Sequence, residues 1–209
     1  MNIICNSCVG SRIYELCNKK FNNPFMWNLI PYPDFRRLIK NYDDIDFRKF
    51  DVSTYRQSET NVITQAIFNS LVKTYYVHYH QDAEYESLTR VAIDIFSNNI
   101  IKYTEDAIKR RLDRMERCSE RPIFIFDTRN RMRYNGVYTE RDIVDFINLR
   151  TPYMKILLVS YPEFKHYPEK KGNTNIVYYE DRLPSLPPDT IHMATVVYNK
   201  FKDIINNEA

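Results

Sequence analysis

Several features that would settle a class at once are missing from this chain. No apolar run in its 209 residues approaches the roughly 20 that a membrane-spanning helix needs, so no membrane span is expected. The N-terminus carries no signal-peptide apolar core, which makes the cytoplasm the expected compartment. The formal net charge is only +3, and no segment is basic enough to read as a nucleic-acid footprint, so nucleic acid is not an expected partner. Cysteine is sparse, with Cys5, Cys8, Cys17 and Cys118 making up the full set of four. In a cytoplasmic protein these read as free, catalytic or metal-binding thiols rather than disulfide staples. Cys5-x-x-Cys8 is half a zinc set with no second close Cys/His pair, so no metal and no cofactor are expected. The chain has no internal repeat and no low-complexity stretch.

What is present is apolar and aromatic. Aromatic residues reach 14%, with 17 Tyr and 12 Phe; they fit either a core edge or the lining of a sugar or glycan site. The length suits one domain over residues 1–209. Short runs rich in β-branched and aromatic residues recur at Asn2–Cys5, Thr74–Tyr79, Pro122–Phe126, Lys155–Ser160 and Asn175–Tyr179. Each reads as a strand buried on both faces, the signature of a parallel sheet. Helical patterns fall between them: Cys8–Cys17, Pro33–Asn41, Glu105–Cys118 after a Thr104 cap, Thr139–Leu149 and Ile191–Ile205. Alternating strands and helices predict an α/β fold: a single three-layer domain with a mainly parallel sheet flanked by helices. The polar stretch Asp43–Gln65 reads as a surface insertion and Glu163–Thr174 as a mobile loop. Phe25 and Trp27 are expected to pack under the first helix and hold the Cys8 turn.

The two ends of the chain carry the chemistry. Asn2-Ile3-Ile4-Cys5 runs straight into Asn6-Ser7-Cys8-Val9-Gly10, a strand turning into a helix. Such a turn sets a Ser or Cys at a helix N-terminus, where unpaired N–H groups favour a thiolate or an oxyanion. About 180 residues later, Asp189-Thr190-Ile191-His192 opens the last helix and offers a base with its orienting carboxylate. The same residues also read as a plain helix cap followed by a solvated histidine. Cys5 reads as a buried, inert strand residue, which leaves Ser7 or Cys8 exposed at the turn. Other strand ends add Asp127, Arg129 and Asn130, able to grip a hydroxylated or anionic ligand or equally to serve as turn residues. His78 and His80 fall on one strand face, where they suit a base or a bond to a neighbouring carbonyl.

The first block and the Asp189-Thr190-Ile191-His192 block resemble those of the SGNH (GDSL-like) hydrolases. That resemblance implies Ser7 as nucleophile, His192 as base and Asp189 as its partner; the family's Gly-Asp is here Cys5-Asn6. A wider likeness runs over about residues 1–130: Cys8, Asn23-Pro24-Phe25-Met26-Trp27, the His78/His80 strand, and Lys109-Arg110-Arg111-Leu112-Asp113-Arg114 before an Ile-Phe-Ile-Phe strand. It is similar to uncharacterised bacterial and viral families labelled papain-like cysteine peptidases or exopolysaccharide-biosynthesis proteins, and it implies Cys8 as the distinctive residue. The functional expectation is a Cys- or Ser-dependent hydrolase or acyltransferase acting on acyl groups of a glycan or sugar precursor. Backbone N–H groups around Val9 and Gly10 would serve the oxyanion. The alternative is a non-catalytic sugar-binding or assembly protein of surface-polysaccharide biosynthesis. In either case the partner is a small molecule or a glycan.

Overall fold

The computed structural model describes residues 2–26, 28–56, 62–76, 99–128, 139–161, 168, 170–180 and 190–207. Its elements in chain order are β1 (Ile3–Cys5), α1 (Val9–Leu16), β2 (Asn28–Leu29), α2 (Tyr32–Lys40), a 3₁₀ turn (Tyr42–Asp44), β3 (Phe50–Arg56), β4 (Val62–Phe68), β5 (Val72–Tyr76), α3 (Asn99–Glu116), β6 (Ile123–Asp127), α4 (Glu140–Asn148), β7 (Met154–Tyr161), β8 (Lys170–Lys171), β9 (Thr174–Glu180) and α5 (Thr190–Asn207). The fold is α/β, with helices on both faces of a mainly parallel sheet.

That sheet has the order β1-β6-β7-β9-β8 among the described residues. β1, β6, β7 and β9 run parallel, with β6 seated between β1 and β7. β8 turns back antiparallel on β9 through Gly172, whose φ of 61° falls where glycine alone is unstrained. The central strands are mainly apolar because successive side chains enter two different cores. Ile4, Phe124, Phe126, Leu157, Val159 and Ile176 face α2, α3 and α4 through Phe35, Leu38, Ile108, Leu112, Ile143 and Phe146. Ile3, Cys5, Ile123, Ile125, Ile156 and Leu158 face α1 and α5 through Val9, Ile13, Met193, Ala194, Val197 and Phe201. Helix α1 approaches β1 so closely that a Cβ on Gly10 would lie 2.8 Å from the Cβ of Cys5. Glycine is therefore required there for packing rather than for its backbone freedom.

β1 lies at the edge of its sheet, and its outward backbone groups are satisfied locally. Ile3 N–H donates to Tyr14 Oη at 3.2 Å, and Asn23 Nδ2 donates to the Ile3 carbonyl at 2.8 Å. Ile30 N–H donates to the Asn6 carbonyl at 3.1 Å. On the other face, Lys155 closes the carboxyl end of α4. Its buried ammonium donates to the carbonyls of Phe146 (2.6 Å), Ile147 (3.1 Å) and Leu149 (2.6 Å), where the helix runs out of backbone donors.

Several expectations are corrected. A second, antiparallel sheet exists, ordered β2-β5-β4-β3. The run at Thr74–Tyr79 belongs there: β5 alternates buried and half-buried positions, so only one of its faces is fully covered. Its residues 77–79 lie outside the described set. The segment Asp43–Gln65 is not a bare insertion, since it supplies β3, the start of β4, and the buried Ile45 and Phe47. Its polar residues alternate with core residues, which hid the strand. Helix α3 begins five residues before Thr104, so the buried Thr104 stands inside the helix rather than at its N-cap position. Within Glu163–Thr174, residues 170–174 form the β8–β9 hairpin. Phe25 does not pack under α1. It enters the opposite core against Phe47 and Phe68, with ring centroids 5.8 and 5.2 Å away, while the neighbouring Met26 packs with α1. Trp27 lies outside the described residues.

Candidate functional site

β1 leads into α1 on one face of the sheet, and β6 leads towards α4 on the other. Adjacent parallel strands whose chains depart to opposite faces leave a crevice beyond their carboxyl ends, where α/β proteins place ligands. Here the carboxyl ends of β1 and β6 carry Asn6, Ser7 and Cys8, and Asp127 and Thr128, all buried except the half-buried Cys8.

Asn6 is the brace. Its Nδ2 donates to the Asp127 carbonyl at 3.2 Å, and its Oδ1 accepts the Asp127 N–H at 2.8 Å. A buried side-chain amide thus imitates one more rung of the β1–β6 ladder. Thr128 is tied to the next strand, donating to the Leu158 carbonyl from its N–H at 3.2 Å and from its hydroxyl at 2.9 Å. Asp127 is itself buried, at 3% exposure. It continues the series Ile123, Ile125 on the α1/α5 face, the face that Cys5 also occupies.

The start of α1 distributes its donors in an informative way. Ser7, which is buried, accepts the Val9 N–H on Oγ at 3.3 Å and also lies 3.5 Å from Cys5 Sγ. Ser7 thus holds the first N–H of α1 from one residue upstream of Cys8, the residue at the N-cap position, which makes no side-chain cap bond. The N–H groups of Ser7 and Gly10 face the sulfur of Cys5. Burial nevertheless dominates at that thiol, and Asp127 adds to it, pushing its pKa up to about 12, so Cys5 is inert as expected. Val9 and Gly10, proposed above as oxyanion donors, thus direct their N–H groups at Ser7 and Cys5 instead. Cys8 is half-buried, the more exposed of the two candidate nucleophiles.

His192 lies in the first turn of α5, half-buried, beside Met193 and Ala194, which enter the core shared with α1. α5 packs directly on α1. The structure thus brings Ser7, Cys8 and Asp127 to one strand edge and sets His192 in the same helical layer. Asp189, Arg129, Asn130, His78 and His80 lie outside the described residues. No cluster of three or more metal-ligating side chains occurs among the described residues.

Asn6 and Thr128 were not singled out from sequence. An asparagine directly after an apolar strand, aligned with an aspartate directly after another, was the available signal, since short amides and hydroxyls readily bond to nearby backbone. Arg111 was also missed. It is buried, donates from Nη1 to the Met26 carbonyl at 3.3 Å and lies 5.6 Å from the Phe21 ring centroid, fixing the segment behind α1. Compared with known proteins, the chain matches no family model and no curated sequence.

Proposed function

We propose that the β1–β6 crevice is an acyl-transfer site with Cys8 as nucleophile, a hydrolase or acyltransferase acting on acyl groups of a glycan or sugar precursor. The observation that carries this reading is the position of Cys8: a half-buried thiol just past the carboxyl end of β1, next to the strand that ends in the braced, buried Asp127. Its neighbour Ser7 is already committed to the fold through Val9 and Cys5. In this scheme His192 takes the thiol proton and Asp189 holds the imidazole in the required tautomer. The thiolate adds to the acyl carbonyl carbon, and the leaving oxygen departs with the proton returned by the imidazolium. Water, or an acceptor hydroxyl, then releases the acyl group from sulfur. Asp127 would accept hydrogen bonds from sugar hydroxyls, Arg129 would donate to sugar oxygens, and Asn130 would do either.

A second reading is favoured by one observation. The N–H groups of Val9 and Gly10, the oxyanion donors this chemistry would use, point at Ser7 and Cys5. A non-catalytic sugar-binding protein of polysaccharide assembly needs no such donors.

One experiment separates the two: the pH dependence of iodoacetamide alkylation at Cys8, in the wild type and in His192→Ala, His78→Ala and His80→Ala. The acyl-transfer reading expects a half-point well below the ordinary thiol value of about 8.5, moved upward by one of the three substitutions. An ordinary thiol profile that no histidine affects supports the binding protein.

A further inference from the structure

The end of the parallel sheet opposite Cys8, a strand length of on the order of 16 Å away, holds an open cavity of about 560 Å³. Asn2, Pro122 and Tyr153, which directly precede β1, β6 and β7, line it. This volume falls in the range of sites that hold small molecules.

Its wall is aromatic and tied in place. The Tyr42 ring centroid lies 5.4 Å from that of Phe47 and 5.5 Å from that of Tyr153. The Tyr42 hydroxyl accepts from Asn2 Nδ2 at 3.1 Å, and Tyr153 Oη donates to Asp43 Oδ1. Ile45 and Phe47, both buried, add an apolar side.

Charges of both signs border these rings. Asp43, Glu116, Glu120 and Arg121 line the cavity, and Glu116 is matched by Arg48 at 2.7 Å. Asp43 and Arg121 are both exposed, and both act on the Tyr153 phenol. Burial chiefly raises the pKa of that phenol, Asp43 raises it further, and Arg121 opposes them. Yet Asp43 and Arg121 form no ion pair with each other, and Arg121 has no hydrogen-bond or ion-pair partner among the described residues. A carboxylate and a guanidinium thus reach one phenol without meeting.

We propose that this cavity binds a small zwitterion, an α-amino acid with an apolar or aromatic side chain. The Arg121 guanidinium takes the carboxylate with its fork of N–H donors, and the Asp43 carboxylate accepts from the ammonium beside Tyr153. The ligand side chain lies against Tyr42 and Phe47. A zwitterion serves both charges at once, whereas an amine or an acid of the same skeleton serves one and leaves the other unmatched. None of the acyl-transfer residues takes part, so the two readings stand or fall separately.

Phenylalanine, phenethylamine and 3-phenylpropionate carry both charges, the positive one alone and the negative one alone on one skeleton. Calorimetric titration of the full chain at neutral pH is expected to show phenylalanine binding at least about tenfold tighter than either of the others. Arg121→Gln should bring phenylalanine down to the level of phenethylamine, and Asp43→Asn to the level of 3-phenylpropionate. Asp43→Asn keeps an oxygen for Tyr153 and Arg121 is exposed, so both variants should fold, and unchanged melting temperatures verify this. The comparison of the three probes on the wild-type chain depends on neither variant. A singly charged probe binding as tightly as phenylalanine, phenylalanine binding indifferent to either substitution, or no phenylalanine binding at millimolar concentration would each overturn the proposal.

Discussion

The side chain of Asn6 and the backbone of Asp127 pair reciprocally, Nδ2 to carbonyl at 3.2 Å and N–H to Oδ1 at 2.8 Å, 121 residues apart in sequence. The Asn6 backbone is also occupied, donating to the Ile125 carbonyl at 3.3 Å and accepting from Ile30 N–H. One fully buried residue therefore joins β1, β6 and the chain entering α2 at the rim of the candidate site.

Asn6→Ala should be severely destabilising for that reason. It strands a buried N–H and a buried carbonyl on Asp127, each costing about 1–3 kcal/mol, so urea denaturation should show a loss of about 2–4 kcal/mol. Asn6→Asp keeps the acceptor for the Asp127 N–H but opposes a carboxylate oxygen to the Asp127 carbonyl. It should recover only a small part of the loss. A loss below about 0.5 kcal/mol in Asn6→Ala would mean that water replaces the brace.

Gly10→Ala tests the α1–β1 contact. Helix propensity alone would make alanine stabilising by about 1 kcal/mol at this position. The new Cβ, however, would lie 2.8 Å from Cys5 Cβ, an atom fixed to a strand backbone, so the helix must lift. Overpacking of this kind costs about 1–3 kcal/mol, and the net effect should be a lower melting temperature. A rise in melting temperature would show that α1 can move away freely.

The parallel sheet was legible because its strands are mainly apolar on both faces; β1, β6, β7 and β9 follow from that pattern, whereas Thr74–Tyr79, read the same way, belongs to the antiparallel sheet. Helix α4 was equally legible, since Thr139 and Asp142 form a reciprocal capping box before Ile143, Phe146 and Ile147. The antiparallel sheet was not. β3 is a polar alternating strand, and β4 and β5 are joined by a turn in which Asn69 and Ser70 adopt positive φ without any glycine to announce it. At the site, the strand-to-helix turn and the placement of Asp127 at a strand end were readable from residue types. Which donors of α1 face which side chain was not, because it depends on a helix drawn onto Cys5 by the absence of a side chain at Gly10.

Buried ionisable groups give the fold a defined response to alkali. Cys5 and the buried phenols of Tyr14 and Tyr76 have pKa values raised chiefly by burial, that of Cys5 to about 12. The unfolded chain loses these protons first, so their contribution to stability is intact below pH about 9 and is lost as pH rises towards the folded values. Lys155 acts in the opposite sense: burial pulls its pKa down to about 8 from 10.5, against a smaller opposing effect of Asp145. Between those values the unfolded chain holds the extra proton, which adds stability with rising pH. Denaturation midpoints should therefore hold or rise slightly from pH 8 to 9, then fall steeply above pH about 10. Tyr76→Phe should soften the fall. A midpoint still rising at pH 11 would contradict the burial of these groups.

The four cysteines differ enough in setting to predict an order of reaction with iodoacetamide at neutral pH. Cys5 is fully buried and its thiol is held protonated, so it should label only on unfolding. Cys17, half-buried at the end of α1, also has its pKa raised by burial, against a weaker effect of Lys19. Cys118 accepts a hydrogen bond from Asn22 Nδ2 at 3.5 Å and should be intermediate in rate. Cys8 should label first. Because the Val9 and Gly10 N–H groups are directed to Ser7 and Cys5, the acyl-transfer reading assigns the thiolate character of Cys8 to a side-chain base, and His192→Ala should slow its labelling about tenfold or more. Peptide mapping after timed alkylation reads all four rates at once. Equal labelling of Cys8, Cys17 and Cys118 would reduce Cys8 to a structural thiol. Any acyl-transfer chemistry would then fall to Ser7, which would first have to release both Val9 and Cys5.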